Sequence, residues 1–175
     1  GDWNVSNVTD MSYMFTGASN FNQPIGNWDV SNITYMSTMF YQASNFNKYI
    51  GNWDVSNVTN MRYMFNVAEK FNKYIGDWNV SNVTDMSYMF TGATAFKQNL
   101  NMWTLNTEVT VESMFLGATN AGYLDPLDPS LQNKLGYTFT DDDLSGAITE
   151  WISDSSTATT TYGHINTWDV SQVTN

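Results

Sequence analysis

From Trp53 to Ile75 the chain reads WDVSNVTNMRYMFNVAEKFNKYI, with apolar residues at Val55, Val58, Met61, Met64, Phe65, Ala68, Phe71 and Ile75. The same column returns behind Trp3, Trp28, Trp78 and Trp103, each 25 residues from the last. A fixed period in this range predicts stacked units, because one unit cannot bury its apolar face alone but neighbours can. Within the unit, apolar positions 58, 61, 64 and 65 have the spacing of one face of a short helix or of 3₁₀ turns. Ser56 stands where an N-cap would stand. The stretch FNKYIGNWDV, residues 46–55, is aromatic, β-branched and bounded by glycine, which predicts a short strand with a bend. Together these predict a repeat solenoid of leucine-rich-repeat-like coils, with short parallel strands stacked about 4.8 Å apart. A three-sided β-solenoid is the alternative.

The column sets the domain organisation. Four units follow one another closely, and the fifth, from Trp103, decays: Glu108 stands where Val8, Ile33, Val58 and Val83 stand, and Val111 replaces Met. An outermost unit has no neighbour to cover it, so residues 1–118 are expected to form one array, its first coil cut. Residues 119–139 break the period and carry Asp-Pro twice, which predicts a terminating loop or linker. From Thr140 the apolar residues Leu144, Ala147, Ile148, Trp151 and Ile152 form a helical stripe, with three Asp in the first turn where the helix dipole favours them. Trp168, Val170, Ser171, Val173 and Thr174 then restart the repeat, so 140–175 reads as a capping helix and the first partial coil of a second array. Gly1 opens in mid-unit without Met, which predicts a piece processed or excised from a longer chain.

Charge narrows the partners. The net charge is −11; residues 1–118 hold nine acids and five bases, and residues 119–175 eight acids and one base. Such a surface repels phosphate backbones and anionic lipid, so nucleic acid and membrane are poor partners. No run of 18 apolar residues predicts a membrane span. Without Cys there are neither disulfides nor thiolate metal sites.

The unit also carries polar columns: Ser6/Ser31/Ser56/Ser81, Thr9/Thr34/Thr59/Thr84 and Asn22/Asn47/Asn72. In-phase polar residues are expected to cap turns and to hydrogen-bond the next coil; a ligand-facing or ice-facing ladder is the functional alternative. The Asn-Val-Thr, Asn-Ile-Thr and Asn-Val-Ser triplets at Asn4, Asn7, Asn32, Asn57, Asn79 and Asn82 are glycosylation acceptors in form, and the period accounts for them without glycans. The Trp and Met columns are expected in the core. Positions that vary between coils, Gln23/Lys48/Lys73/Gln98 and Pro24/Tyr49/Tyr74/Asn99, are free of packing constraint. Lys48, Tyr49, Lys73 and Tyr74 are therefore the candidate ligand-binding residues, as two adjacent rows pairing an amphipathic phenol with a base.

Catalytic chemistry has little to work with: one His (His164), no phosphate-cradling glycine loop, and no carboxylate pair outside repeat positions except Asp141–Asp143. Asp141, Asp143 and Ser145 fall at places 1, 3 and 5 of a calcium loop, but the bidentate Glu of place 12 is replaced by Ile152. No metal, no cofactor and no enzymatic activity are expected.

The unit WDVSNVTDMSYMFTGASNFNQPIGNW resembles the 25-residue "WDVSNVTNM" repeat family of unknown function, first noted in Mycoplasma surface proteins and similar to the BspA-type leucine-rich-repeat surface proteins. The resemblance covers residues 1–118 and 165–175, and TDDDLSGAITEWISDSSTATTTYGHINTWDVS looks like the helical stretch that often precedes such arrays. It implies a bacterial, algal or viral surface protein, secreted or held at the cell surface, working in adhesion or protein contact. The expected partners are other copies of the chain, or a protein or glycan of a host or cell surface. Head-to-tail self-association through residues 1–10 and 165–175, building filaments, is one expectation. Binding of carbohydrate or peptide on the Tyr/Lys rows is the other.

Overall fold

The structure, a computed structural model, describes residues 3–98, 100, 102–118 and 148. The predicted linker 119–139, the second repeat start at 165–175 and the stripe from Thr140 lie outside these residues, apart from Ile148, which is helical. From residue 3 to 118 the described chain holds turns and single-residue parallel bridges. The bridges run Asp10–Tyr35–Asn60–Asp85–Thr110, one per unit, so the units lie side by side in 25-residue register.

In the unit from Trp53, the N–H groups of Val58, Met64, Asn66, Ala68, Phe71 and Trp78 each donate to the carbonyl three residues back, at 2.9–3.2 Å. These are successive β-turns. Apart from the Tyr63–Asn66 turn, each closes from one core residue to another three places on, such as Met61 and Met64 or Phe65 and Ala68. The i, i+3 spacing that suggests a helical face is thus generated by turns whose ends return to the core. Two turns per unit have a left-handed residue at their third position: Tyr63 (φ 57°) and Val67 (φ 56°) here, with Tyr13, Thr38, Tyr88 and Ser113 repeating the first. The second recurs at Gly17, Gln42, Gly92 and Gly117. A type II turn demands positive φ there, which accounts for the glycines.

Backbone amides from 61 to 68 divide by parity. Met61, Tyr63, Phe65 and Val67 donate across to Asp85, Ser87, Met89 and Thr91 of the next unit at 2.8–3.0 Å. Met64, Asn66 and Ala68 close turns within the unit, and the Arg62 amide donates to Asn60 Oδ1. Every amide in this stretch is therefore paired, half of them by a neighbour that must be in register.

The stretch expected to be extended is held differently. The Asn72 N–H donates to Asn47 Oδ1 and the Asn47 N–H to Asn22 Oδ1, both at 3.0 Å, so side-chain amides stand in for a strand's carbonyls. Ser56 likewise does not cap: its N–H donates to Asp54 Oδ1, making the residue two places earlier the cap. In the fifth unit the backbone slips by one residue. Val109, not Glu108, closes the turn onto Asn106, and Glu108 is left exposed, a local bulge that keeps an apolar residue against the core. Register is regained by Thr110, which accepts from Met86, and contacts continue to Leu116.

The core is a pile of rings. Phe40 and Phe46 lie face to face at 4.0 Å within one unit, and Phe65–Phe71 and Phe90–Phe96 repeat this at 4.1 Å. Between units the first ring of each pair stacks on its counterpart at 5.4–5.5 Å, from Phe15 through Phe40, Phe65 and Phe90 to Phe115. Trp28, Trp53, Trp78 and Trp103 are buried, whereas Trp3 in the first unit is 65% exposed. The indole N–H groups of Trp53, Trp78 and Trp103 donate to the carbonyls of Ile25, Ile50 and Ile75 at 3.0–3.2 Å, each bond reaching past the adjacent unit's Trp. A buried indole so satisfied costs no orphaned donor.

Candidate functional site: the variable rows and the open first unit

The link between units places the candidate row. After Ile50 the chain turns through Gly51, where a Cβ would come within 2.7 Å of both the Tyr49 hydroxyl and the Tyr74 carbonyl. Only glycine lets the Tyr49 phenol lie back over the link. That hydroxyl donates to Asn52 Oδ1 at 3.2 Å, and the Tyr74 hydroxyl donates to Asp77 Oδ1 at 2.9 Å one unit on. Burial, the bond to Asp77 and its charge push the Tyr74 hydroxyl up to about 12. Tyr49 and Tyr74 remain 48% and 38% exposed, and Lys48 and Lys73 are half-buried beside them. All four predicted residues therefore stand in two adjacent surface rows.

The rows are not equivalent. Where Tyr49 and Tyr74 stand, the first unit has Pro24. There a cleft of about 700 Å³ opens between Trp3, Asn4, Pro24 and Trp28 on one side and Lys48, Tyr49 and Asn52 on the other. Beside it a nearly apolar pocket of about 190 Å³ is walled by Trp3, Phe15, Phe21, Gln23, Ile25 and Trp28. Lys48 and Tyr49 face this cleft, and Lys73 and Tyr74 do not line it.

Sequence reasoning did not single out a second cluster. The Arg62 guanidinium sits over the rings of Tyr63 and Tyr88, 4.9 and 5.4 Å from their centroids, and 3.6 Å from Asp85 Oδ2. The two phenols stack at 4.9 Å, and the Tyr88 hydroxyl donates to Glu112. The bond to Glu112 raises the Tyr88 hydroxyl above its ordinary value, and the bond to the Tyr63 hydroxyl does the same for Arg62. The signal was available: Arg62 and Glu112 are the charged exceptions in a column otherwise Ser12, Ser37 and Ser87.

The polar columns bond between units. Asn32, Asn57 and Asn82 each donate their side-chain amide to the carbonyl of Ser6, Ser31 or Ser56 at 2.7–2.8 Å. Thr59 and Thr84 hydroxyls donate to the Thr34 and Thr59 carbonyls. Bonds from Ser12 and Ser31 hold the Asp10 and Asp29 carboxyls below their usual range. No group of three or more His, Cys, Asp or Glu gathers to hold a metal among the described residues. Asp141, Asp143, Ser145 and His164 lie outside them.

The model of one protein family, described as Mycoplasma protein of unknown function, DUF285, matches residues 1–66 and again residues 26–124. No curated protein and no solved structure matches the chain. No helix among the described residues is long and apolar enough to cross a membrane.

Proposed function

The chain belongs to this family of Mycoplasma proteins of unknown function, and we propose that it is a non-catalytic structural or adhesive module of a larger extracellular surface protein. Its stacked units form a solenoid akin to the BspA-type leucine-rich-repeat surface proteins, and the module is secreted or displayed at the cell surface. The observation that carries this is the unit-to-unit contact: the same four backbone bonds join every neighbouring pair from Met11 to Leu116. A surface whose side chains are spent on holding neighbours in register suits a scaffold that bears load and presents a face. Copies associate head to tail, residues 165–175 of one stacking on residues 1–10 of the next, a heterologous contact that extends into filaments. Sedimentation and negative-stain imaging of the chain at rising concentration test this: growing linear assemblies are expected, and discrete monomers at every concentration would refute it.

A second function is favoured by the cleft at Lys48 and Tyr49. Exposed aromatic faces beside side-chain amides and one base suit a carbohydrate or peptide. A glycan or peptide array whose signal disappears in Tyr49→Ala, with Tyr74→Ala as the comparison, would support it. Signals that survive the double change would discard these rows.

A further inference from the structure

The bases of the array are not spread evenly over it. Among residues 1–118 they are Lys48, Arg62, Lys70, Lys73 and Lys97, and four of these five fall in one stretch of the unit, at residues 45–49, 70–74 and 95–99. None of the nine acids of residues 1–118 falls in that stretch. A ladder of amides lays the three segments side by side: the Asn72 N–H donates to Asn47 Oδ1 at 3.0 Å, and the Lys97 N–H to Asn72 Oδ1 at 3.1 Å. The lysines therefore form a basic stripe along the stack, on a chain whose net charge is −11. No carboxylate neutralises it. The Lys70 ammonium donates to the uncharged amide of Asn45 at 2.6 Å, and the other three have no ion-pair partner among the described residues. Tyr49 and Tyr74 stand in the same stripe, half-exposed, each hydroxyl tied to the residue three places on, so the rings are set before any partner arrives.

We propose that this stripe binds an extended polysaccharide of uronic acids, its sugar faces on the phenols and its carboxylates on the lysines. This rests on the carbohydrate reading of the Tyr/Lys rows above, and adds the chemical class of the glycan and its course along the stack. Lys48, Lys73 and Lys97, one per unit, suit a polymer that carries its charge at a regular spacing, and a compact ammonium takes each carboxylate singly. Charge density selects among polyanions. Duplex nucleic acid carries one charge per about 1.7 Å, and a chain this acidic repels so dense a polymer around its narrow basic stripe. One carboxylate per sugar is a sparser charge, and the apolar C–H face of each sugar suits an exposed phenol flanked by side-chain amides. The two phenols differ in their anchor: Asn52 accepts from Tyr49, whereas the carboxylate of Asp77 accepts from Tyr74. The charge of Asp77 opposes a uronate beside Tyr74, so the stripe is strongest at Lys48 and Tyr49.

Calorimetric titration of the full chain with an oligomannuronate tests this, with the methyl ester of the same oligosaccharide as the uncharged comparison. The double variant Lys48→Gln/Lys73→Gln takes the residue found at Gln23 and Gln98 in the flanking units, and Asp77→Asn copies Asn52, so each keeps the fold. Binding that weakens with added salt is expected, with a loss of at least about tenfold for the ester and for the double variant, and tighter binding by Asp77→Asn. An affinity unchanged in the double variant, or no greater in Asp77→Asn, would overturn the proposal. So would tighter binding of a sulfated glycan or an oligonucleotide at equal salt. Acid and ester bound alike, and both lost in Tyr49→Ala, would remove the acidic class and leave the carbohydrate reading standing. No binding of either at about 1 mM would remove both.

Discussion

Truncating one ring of the central pile tests how the stack is held. Phe65 is fully buried and touches four rings: Phe71 in its own unit at 4.1 Å, Phe40 and Phe90 at 5.5 Å on either side, and Trp78 at 6.4 Å. Phe65→Ala removes that burial and leaves a cavity that left-handed turns on both sides cannot close, a loss of about 3–5 kcal/mol. Phe15 occupies the same place in the first unit but has an interunit phenyl neighbour on one side only, Phe40 at 5.5 Å, and is already partly open to solvent. Phe15→Ala should cost about 1–2 kcal/mol, since the partly exposed ring has less transfer free energy to lose and stacks on three rings, Phe21, Trp28 and Phe40, rather than four. Urea unfolding followed by tryptophan fluorescence and by far-UV circular dichroism measures both. The expected result is a midpoint fall at least about twice as large for Phe65→Ala. Equal losses would mean that units do not depend on both neighbours, and the nearest-neighbour picture of the stack would be refuted.

Three further outcomes follow from the same contacts. Asn47→Leu leaves the half-buried Asn72 N–H without its acceptor and should cost about 1–3 kcal/mol in urea unfolding, while Asn47→Asp, which keeps an oxygen in place, should cost clearly less. Gly17→Ala meets no atom within 4 Å, so its loss should be the left-handed strain alone, about 1–2 kcal/mol, read as a lower thermal midpoint. Tyr74 should titrate near 12 by ultraviolet absorbance, and Asp77→Asn should bring it down. Its folded value lies above its unfolded one, so its stabilising contribution is complete below about 10 and fades as pH rises from there to about 12.

Much of this was legible in the chain because a period needs no structural model. Trp, Met and Phe returning each 25 residues had to be core, and the four interior indoles are buried. Local conformation was not legible, because β-turns ending on Met61, Met64, Phe65 and Ala68 produce the same i, i+3 spacing as a helical face. What distinguishes them is the positive φ at Tyr63 and Val67, and a Tyr and a Val announce no such thing. Gly17, Gly92 and Gly117 in phase with Val67 were the available hint. The Ser column misled for a related reason: its neighbour Asp54 offers a carboxylate two residues earlier, which wins the Ser56 amide. Glu108 announced a damaged unit, but the slip to Val109 depends on how the backbone crosses Thr84, a distance in space that no spacing encodes. Of the residues lining the cleft, Lys48 and Tyr49 were legible as variable positions, whereas Lys73 and Tyr74 do not line it. The Arg62 cluster was not legible, since it joins three units, and the cleft beside Tyr49 depends on Pro24 standing where the next two units have Tyr.

Residue-by-residue amide hydrogen exchange tests the stacked register most directly. Turns alone would slow exchange at Met64, Asn66 and Ala68, because those amides bond within their own unit. In-register neighbours add Met61, Tyr63, Phe65 and Val67, whose amides reach the following unit. The account predicts comparable protection at both sets in the central units, opening only with unfolding of the array. Fast exchange at Met61, Tyr63, Phe65 and Val67 beside slow exchange at Met64, Asn66 and Ala68 would contradict it.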